Sequence, residues 1–189
     1  SILAKVGCFL SHIIAIKFAL EKNYKSVLIL EDDVKFLNNI LNRFTIPVDA
    51  DIFYLGGSFF HQKEKLEYTT KKNILIDTDK LKVNGTFAYI IPSRDKMKDI
   101  YNCLMSVFLE GKGKDKSPRD FRTGKVRLRA QSIDFAYINH FQKYGKCYLI
   151  NPVKIIHEEL GSNISNNRNK YKLEHILFDR QKYKLNNFI

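Results

Sequence analysis

"KSVLILEDDVKF", residues 25–36, runs from four apolar residues into three consecutive acids and then back to apolar ones. A continuous apolar run of this length, rich in β-branched residues and bounded by polar ones, predicts a strand covered on both faces. Just upstream, "VGCFLSHIIAIKFALE" (6–21) spaces Val6, Phe9, Leu10, Ile13, Ile14, Ile16 and Leu20 close to the helical period, with His12 and Lys17 interleaved. A mostly buried helix that passes through "NYK" into a buried strand indicates an α/β layer structure with a parallel or mixed sheet. In such sheets ligands bind beyond the carboxyl ends of the strands, which is where Glu31, Asp32 and Asp33 fall.

The rest of the chain continues the alternation. "NNILNRFTIP" predicts a short helix ending before Pro47, and "DIFYLGG" (51–57) a buried strand closing on two glycines. "NILID" has the form of an edge strand and "GTFAYIIP" (85–92) of a third buried one. Ser93 is placed to cap a helix over "SRDKMKDIYNCLMSVFLE", whose apolar positions are Met97, Ile100, Tyr101, Leu104 and Phe108. Residues 111–125 combine glycine, proline and charge without periodicity and predict a loop. "SIDFAYINHFQKYG" predicts a helix with a glycine stop, and "KCYLINP" a last strand, before the polar "GSNISNNRNKYK". One domain is expected, with residues 1–162 forming its body and 163–189 a polar extension.

Composition narrows the classes. Charged residues at 28% and apolar residues at 44% describe a folded globular chain. No uninterrupted apolar run approaches the roughly 20 residues of a membrane span, and no leader pattern opens the chain, so a soluble protein is expected. Cys8, Cys103 and Cys147 are odd in number, widely spaced and without a CxxC, which suggests neither a disulfide framework nor a zinc ribbon and fits a reducing, cytoplasmic compartment. The net charge of +12 would attract phosphates. Lysine, however, outnumbers arginine 24 to 8 and asparagine and isoleucine abound, the mark of an AT-rich coding sequence rather than of selection for binding. No specific nucleic acid is therefore expected as a partner. A small anionic substrate such as a nucleotide diphosphate, and peripheral contact with an anionic membrane, remain compatible.

On an extended segment residues i and i+2 point the same way, so Glu31 and Asp33 face one side and Asp32 the other. Either side offers hard oxygen ligands to Mg²⁺ or Mn²⁺. An ion held there neutralises charge on a departing phosphate. The structural alternative is that the acids cap a following helix or mark the solvent end of the strand.

Four blocks in order resemble glycosyltransferase family 25, which includes lipooligosaccharide galactosyltransferases and collagen hydroxylysine galactosyltransferases. "KVGCFLSHIIAIKFAL" is similar to the family's G-C-x-x-S-H helix and "VLILEDDVKF" to its I-L-E-D-D-V block. "GTFAYIIPSRDKMKDI" is similar to its G-T-x-A-Y segment, and "SIDFAYI" to the block around a family aspartate. "CYLINPVKIIHEELGSNIS" matches the strand, proline and polar stretch that follow.

The resemblance implies a GT-A-like, Rossmann-like α/β fold with a mixed, mainly parallel sheet flanked by helices, here lacking the family's first strand-helix unit. It implies transfer of a hexose, galactose or glucose, from a UDP-sugar donor to a hydroxyl on a glycan or a collagen-like glycoprotein acceptor. It also implies a divalent metal, Mn²⁺ or Mg²⁺, at Glu31, Asp32 and Asp33, and inversion at the sugar carbon. Inversion needs a base on the acceptor side, for which Asp134 is the candidate. The alternative for Asp134 is a charge interacting with a helix N-terminus.

Ser11 and His12 match the family helix, where His12 could orient the acids through a ring nitrogen. A histidine on an apolar helix is otherwise a satisfied core residue. Gly85 and Thr86 could let backbone approach a sugar or phosphate, or simply form a turn before a strand. Gly56 and Gly57 leave the same choice. His157 and Glu158 are candidates for acceptor contact. A phosphohydrolase using the same acids lacks a nucleophile in an Asp-x-Asp-x-Thr setting. A non-catalytic module docking on an anionic polymer or membrane is the alternative from another class.

Overall fold

A computed structural model describes residues 2–37, 44–60, 72–79, 81–110, 132–151 and 153–157. The 111–125 loop, the polar extension, Glu158 and residues 38–43 of the expected helix before Pro47 lie outside the described residues, and the end of that segment, residues 44–46, is described and is not helical.

The first helix, α1 (Ile2–Glu21), turns Phe9, His12, Ile13, Ile16 and Ala19 inward. It ends in a Schellman motif. Asn23 takes the left-handed conformation (φ 57°), while Tyr24 N–H donates to the Ala19 carbonyl (3.0 Å) and Asn23 N–H to that of Leu20 (3.1 Å). Leu3–Glu21 has a mean hydropathy of 1.7 and is long and apolar enough to cross a membrane, contrary to the sequence expectation. Isolated polar residues, Ser11, His12 and Lys17, interrupt the run, but the apolar residues around them keep its average high. Its inner stripe nonetheless packs on the sheet as a core helix does.

Next come β1 (Val27–Leu30), β2 (Val34–Phe36), β3 (Ile52–Tyr54), β4 (Ser58–Phe60), β5 (Asn73–Leu75), β6 (Lys82–Asn84) and β7 (Ala88–Ile91). Then follow α2 (Arg94–Glu110), α3 (Ile133–Ala136) running into a π-helical turn (Tyr137–Gln142), β8 (Cys147–Ile150) and β9 (Ile155–His157). Five strands form the main sheet in the order β1-β7-β3-β8-β5, with β5 at its edge as expected. Small ribbons pair β2 with β9 and β4 with β6. Ser93 caps α2, its hydroxyl accepting from Lys96 N–H at 3.3 Å.

The sheet is mixed, but among the described residues it is mainly antiparallel rather than mainly parallel. Only β3 and β8 run parallel, whereas β1–β7, β7–β3 and β5–β8 are antiparallel. Short apolar runs report burial, not direction, so the sequence could not separate the two. The opening strand is also not covered on both faces: β1 buries Ile29 but leaves Leu28 47% and Leu30 38% exposed. Central β3 and β7 are buried throughout.

Two apolar clusters alternate along these strands. Ile52, Tyr54, Tyr89 and Ile91 meet α1, α2 and α3 on one face, and Phe53, Leu55, Ala88 and Ile90 meet Ile150 and Ile155 on the other. Gly56 admits the β9 backbone, since a Cβ there would overlap the Ile155 carbonyl, and one on Gly57 would overlap Val83.

The helix beginning at Ile133 widens into the π form, with Lys143 N–H donating to the Ile138 carbonyl five residues back (3.1 Å). At roughly 4.4 residues per such turn, positions i and i+5 share a face. Tyr137 and Gln142 therefore both reach inward. Gln142 Nε2 donates to the Val83 carbonyl (2.6 Å) and Tyr54 hydroxyl (3.0 Å), and its Oε1 accepts from Val83 N–H (3.0 Å). The wide turn thus anchors the third helix to β6. The expected glycine stop is Gly145, where a Cβ would press on the Asp51 carboxylate and the Phe141 carbonyl.

Candidate active site

Glu31 leaves the end of β1 with its backbone N–H held by the Phe87 carbonyl at 2.9 Å, so its carboxylate is carried over the edge of the sheet toward α1. Its Oε1 meets His12 Nε2 at 3.3 Å and accepts from the Thr86 hydroxyl at 3.4 Å. His12 is buried (4% exposed), and its Nδ1 stands 2.8 Å from the Tyr89 hydroxyl, which in turn accepts from Tyr137 at 2.7 Å. The imidazole is thus held at both nitrogens, Nδ1 by the tyrosine pair and Nε2 by Glu31.

Asp134 approaches the same place from α3. Ser132, not Asp134, occupies the cap position, and Asp134 Oδ1 instead accepts from Gly85 N–H (3.1 Å), Thr86 N–H (3.0 Å) and the Thr86 hydroxyl (3.1 Å). Two successive amides converge on one oxygen because Gly85 adopts φ 92°, which a residue with a Cβ takes only under strain. Burial, then the negative charge of Glu31, raises the Asp134 pKa above the ordinary carboxylate value, while the Thr86 bonds and His12 pull it back. Asp134 thus combines a fixed orientation with a strengthened appetite for a proton.

Cys8 completes the group. Its sulfur lies within 4.8 Å of the His12 and Glu31 donor atoms, and burial, then the charges of Glu31, Asp134 and Asp33, push the thiol up to about 12. Glu31 and Asp33 are half-buried while Asp32, between them, is exposed, in keeping with the expected alternation.

The remaining candidates divide. Thr86 and Gly85 are brought to Asp134, and His12 to Glu31. Ser11 is exposed, and its hydroxyl donates to the Gly7 carbonyl of its own helix (2.9 Å). His157 pairs by its backbone with Val34, directly after the acidic turn, which carries β9 to the rim of the site. Cys8, Tyr89 and Tyr137 were not singled out from sequence. The tyrosines sit in apolar runs that look like plain core, and Cys8, although part of the G-C-x-x-S-H block, carries no evident role in the sequence. Its helical spacing to His12 was the available signal.

The three acids suit a hard divalent ion in donor type, being carboxylates on a turn at the strand end. Glu31 Oε1 is engaged by His12 and Thr86, and Asp32 is exposed while Glu31 and Asp33 are half-buried. The acids therefore fit such an ion in donor type, while the donor atoms brought together among the described residues are those of Cys8, His12 and Glu31.

Comparison with curated proteins found no match. Residues 3–110, more than half the chain, match the sequence profile described as glycosyltransferase family 25 (LPS biosynthesis protein). That range takes in Cys8, His12, the acidic turn, Gly85 and Thr86, and stops short of Asp134 and His157. On this match, the chain belongs to glycosyltransferase family 25.

Proposed function

We propose that this family member transfers a hexose, galactose or glucose, from a UDP-sugar to a hydroxyl of a glycan or a hydroxylysine-bearing acceptor, inverting the sugar carbon. The observation that carries the reading is the Asp134 carboxylate, oriented by three donors on one oxygen and made more basic by burial and by Glu31. Asp134 takes the acceptor hydroxyl proton as that oxygen attacks the anomeric carbon. The bond from that carbon to the diphosphate oxygen breaks, its electron pair leaves with UDP, and inversion follows from attack opposite the leaving group.

Glu31, Asp32 and Asp33 would hold a divalent ion, Mn²⁺ or Mg²⁺, whose contribution when bound is to neutralise charge on the diphosphate. His12 keeps Glu31 oriented, and the Tyr89–Tyr137 pair keeps His12 oriented. Gly85 and Thr86 present the amides that position Asp134.

Calorimetry of UDP-galactose and UDP-glucose binding, with Mn²⁺, with EDTA, and in Asp33→Ala, tests the donor half of this reading. Metal-dependent binding that the variant loses is expected. Heat that is the same with and without metal, or no binding at all, overturns it. Salt-sensitive binding to anionic lipid in place of donor binding would favour a docking module.

A further inference from the structure

We propose that Cys8, His12 and Glu31 form a second cation site, one for a soft divalent ion with Zn²⁺ the best chemical match, overlapping the acidic turn only at Glu31. Cys8 and His12 stand at i and i+4 of α1 and so project from one helical face, toward the end of β1 that carries Glu31. Their three donor atoms all lie within 4.8 Å of one another.

Zinc bonds of about 2.0–2.1 Å to nitrogen and oxygen and about 2.3 Å to sulfur require tetrahedral donors spaced roughly 3.3–3.6 Å apart. His12 Nε2 and Glu31 Oε1, 3.3 Å apart, already have that bite. The Cys8 sulfur, within 4.8 Å of both, supplies the third edge on moving inward to bonding distance. The fourth position is left to water on the side where Glu31 keeps 29% exposure.

A second observation points the same way. Histidines that ligate metals donate their other ring nitrogen to a fixed partner, and His12 Nδ1 is already held by Tyr89 at 2.8 Å, itself held by Tyr137 at 2.7 Å. One thiolate, one imidazole and one carboxylate favour zinc over magnesium or manganese, which prefer all-oxygen surroundings.

The protons balance simply. Cys8 gives its thiol proton to solvent. His12 binds through Nε2 with its ring proton on Nδ1, donated to the Tyr89 hydroxyl. One proton is released per ion bound.

The test uses the full chain, stripped with EDTA and titrated with Co²⁺ as a spectroscopic substitute for Zn²⁺. Expected are a near-ultraviolet thiolate-to-cobalt band and intense visible bands of a tetrahedral ion, saturating at one ion per chain and reversed by Zn²⁺. Cys8→Ser removes the thiolate band, and Cys103→Ser leaves it. Tyr89→Phe, checked for native circular dichroism, keeps the band but weakens binding by about ten- to a hundredfold. A native chain without the band, or a band that survives Cys8→Ser, overturns the proposal. Should Cys8→Ser fail to fold, Glu31→Gln serves in its place, and unchanged cobalt affinity there overturns it equally. No sugar nucleotide is present in this experiment, so its failure is distinguishable from failure of the transferase reading.

Discussion

Asp134 is costly where it sits, and the cost has a predictable pH signature. Its pKa is raised in the folded chain, so between the unfolded carboxyl value of about 3.8 and the raised folded value the native state binds more protons than the unfolded one. Stability contributed by the protonated group is therefore lost as pH rises through that window. Asp134→Asn keeps an oxygen for Gly85 and Thr86 and removes the buried charge. It should melt at or above the native temperature near pH 7 and show no such advantage at pH below about 4, while glycosyl transfer falls by at least about a hundredfold. Thermal melts across that pH range check the first part and turnover assays the second. A variant that melts several degrees lower at neutral pH would refute the burial argument. Part of this residue-level picture was legible beforehand. Three acids at a strand end marked the place where Glu31 meets His12 and Thr86, and alternation separated the exposed Asp32 from Glu31 and Asp33. The Tyr89–Tyr137 support was not, because a buried hydroxyl looks identical in sequence to a buried ring.

The turn that ends α1 and the π-helical turn each make a claim about one element. At Asn23, φ 57° favours glycine over every residue with a Cβ and tolerates asparagine. Asn23→Gly should stabilise or leave stability unchanged, and Asn23→Ala should cost about 1 kcal/mol by urea denaturation. At Gln142 three hydrogen bonds tie the third helix to Val83 and Tyr54. Gln142→Leu strands the Val83 amide and carbonyl and should cost about 1–3 kcal/mol or more, with faster amide exchange at Val83. Unchanged exchange would mean that the β4–β6 ribbon holds without the helix. Long periodic elements were readable: α1, the serine-capped α2, and the buried β3 and β7 all stand where their apolar spacing put them. The three-residue ribbons β2–β9 and β4–β6 were not, since so few residues of mixed polarity establish no period. The π form was invisible because nothing in "YINHFQ" distinguishes it from an ordinary helix.

Across the molecule, the site draws on α1, the β1 end, the β6–β7 turn and α3, so a ligand bound there braces four elements at once. If the proposed donor and metal bind the native state alone, saturation at a hundred times Kd adds about 2.7 kcal/mol. For a chain of this size that raises the melting temperature by roughly 5–11 °C. Differential scanning fluorimetry with UDP-hexose and Mn²⁺ should show the rise and EDTA should abolish it. A flat response would separate family membership from donor binding. The mixed layering was legible at this scale but strand direction was not, because burial on both faces is common to parallel and antiparallel neighbours. The widened turn at Tyr137–Gln142 also bears on how this chain is compared and edited. A turn closed five residues back consumes one residue more than a regular one, so beside a relative with a plain helix here, this segment should show a single-residue gap that is no loop insertion. Removing one residue between Tyr137 and Gln142, such as Asn139, would restore an ordinary helix and yet pull one of the two inward side chains off its partner. The extra residue is therefore a spacer that lets one helix address both the histidine relay and the β6 backbone.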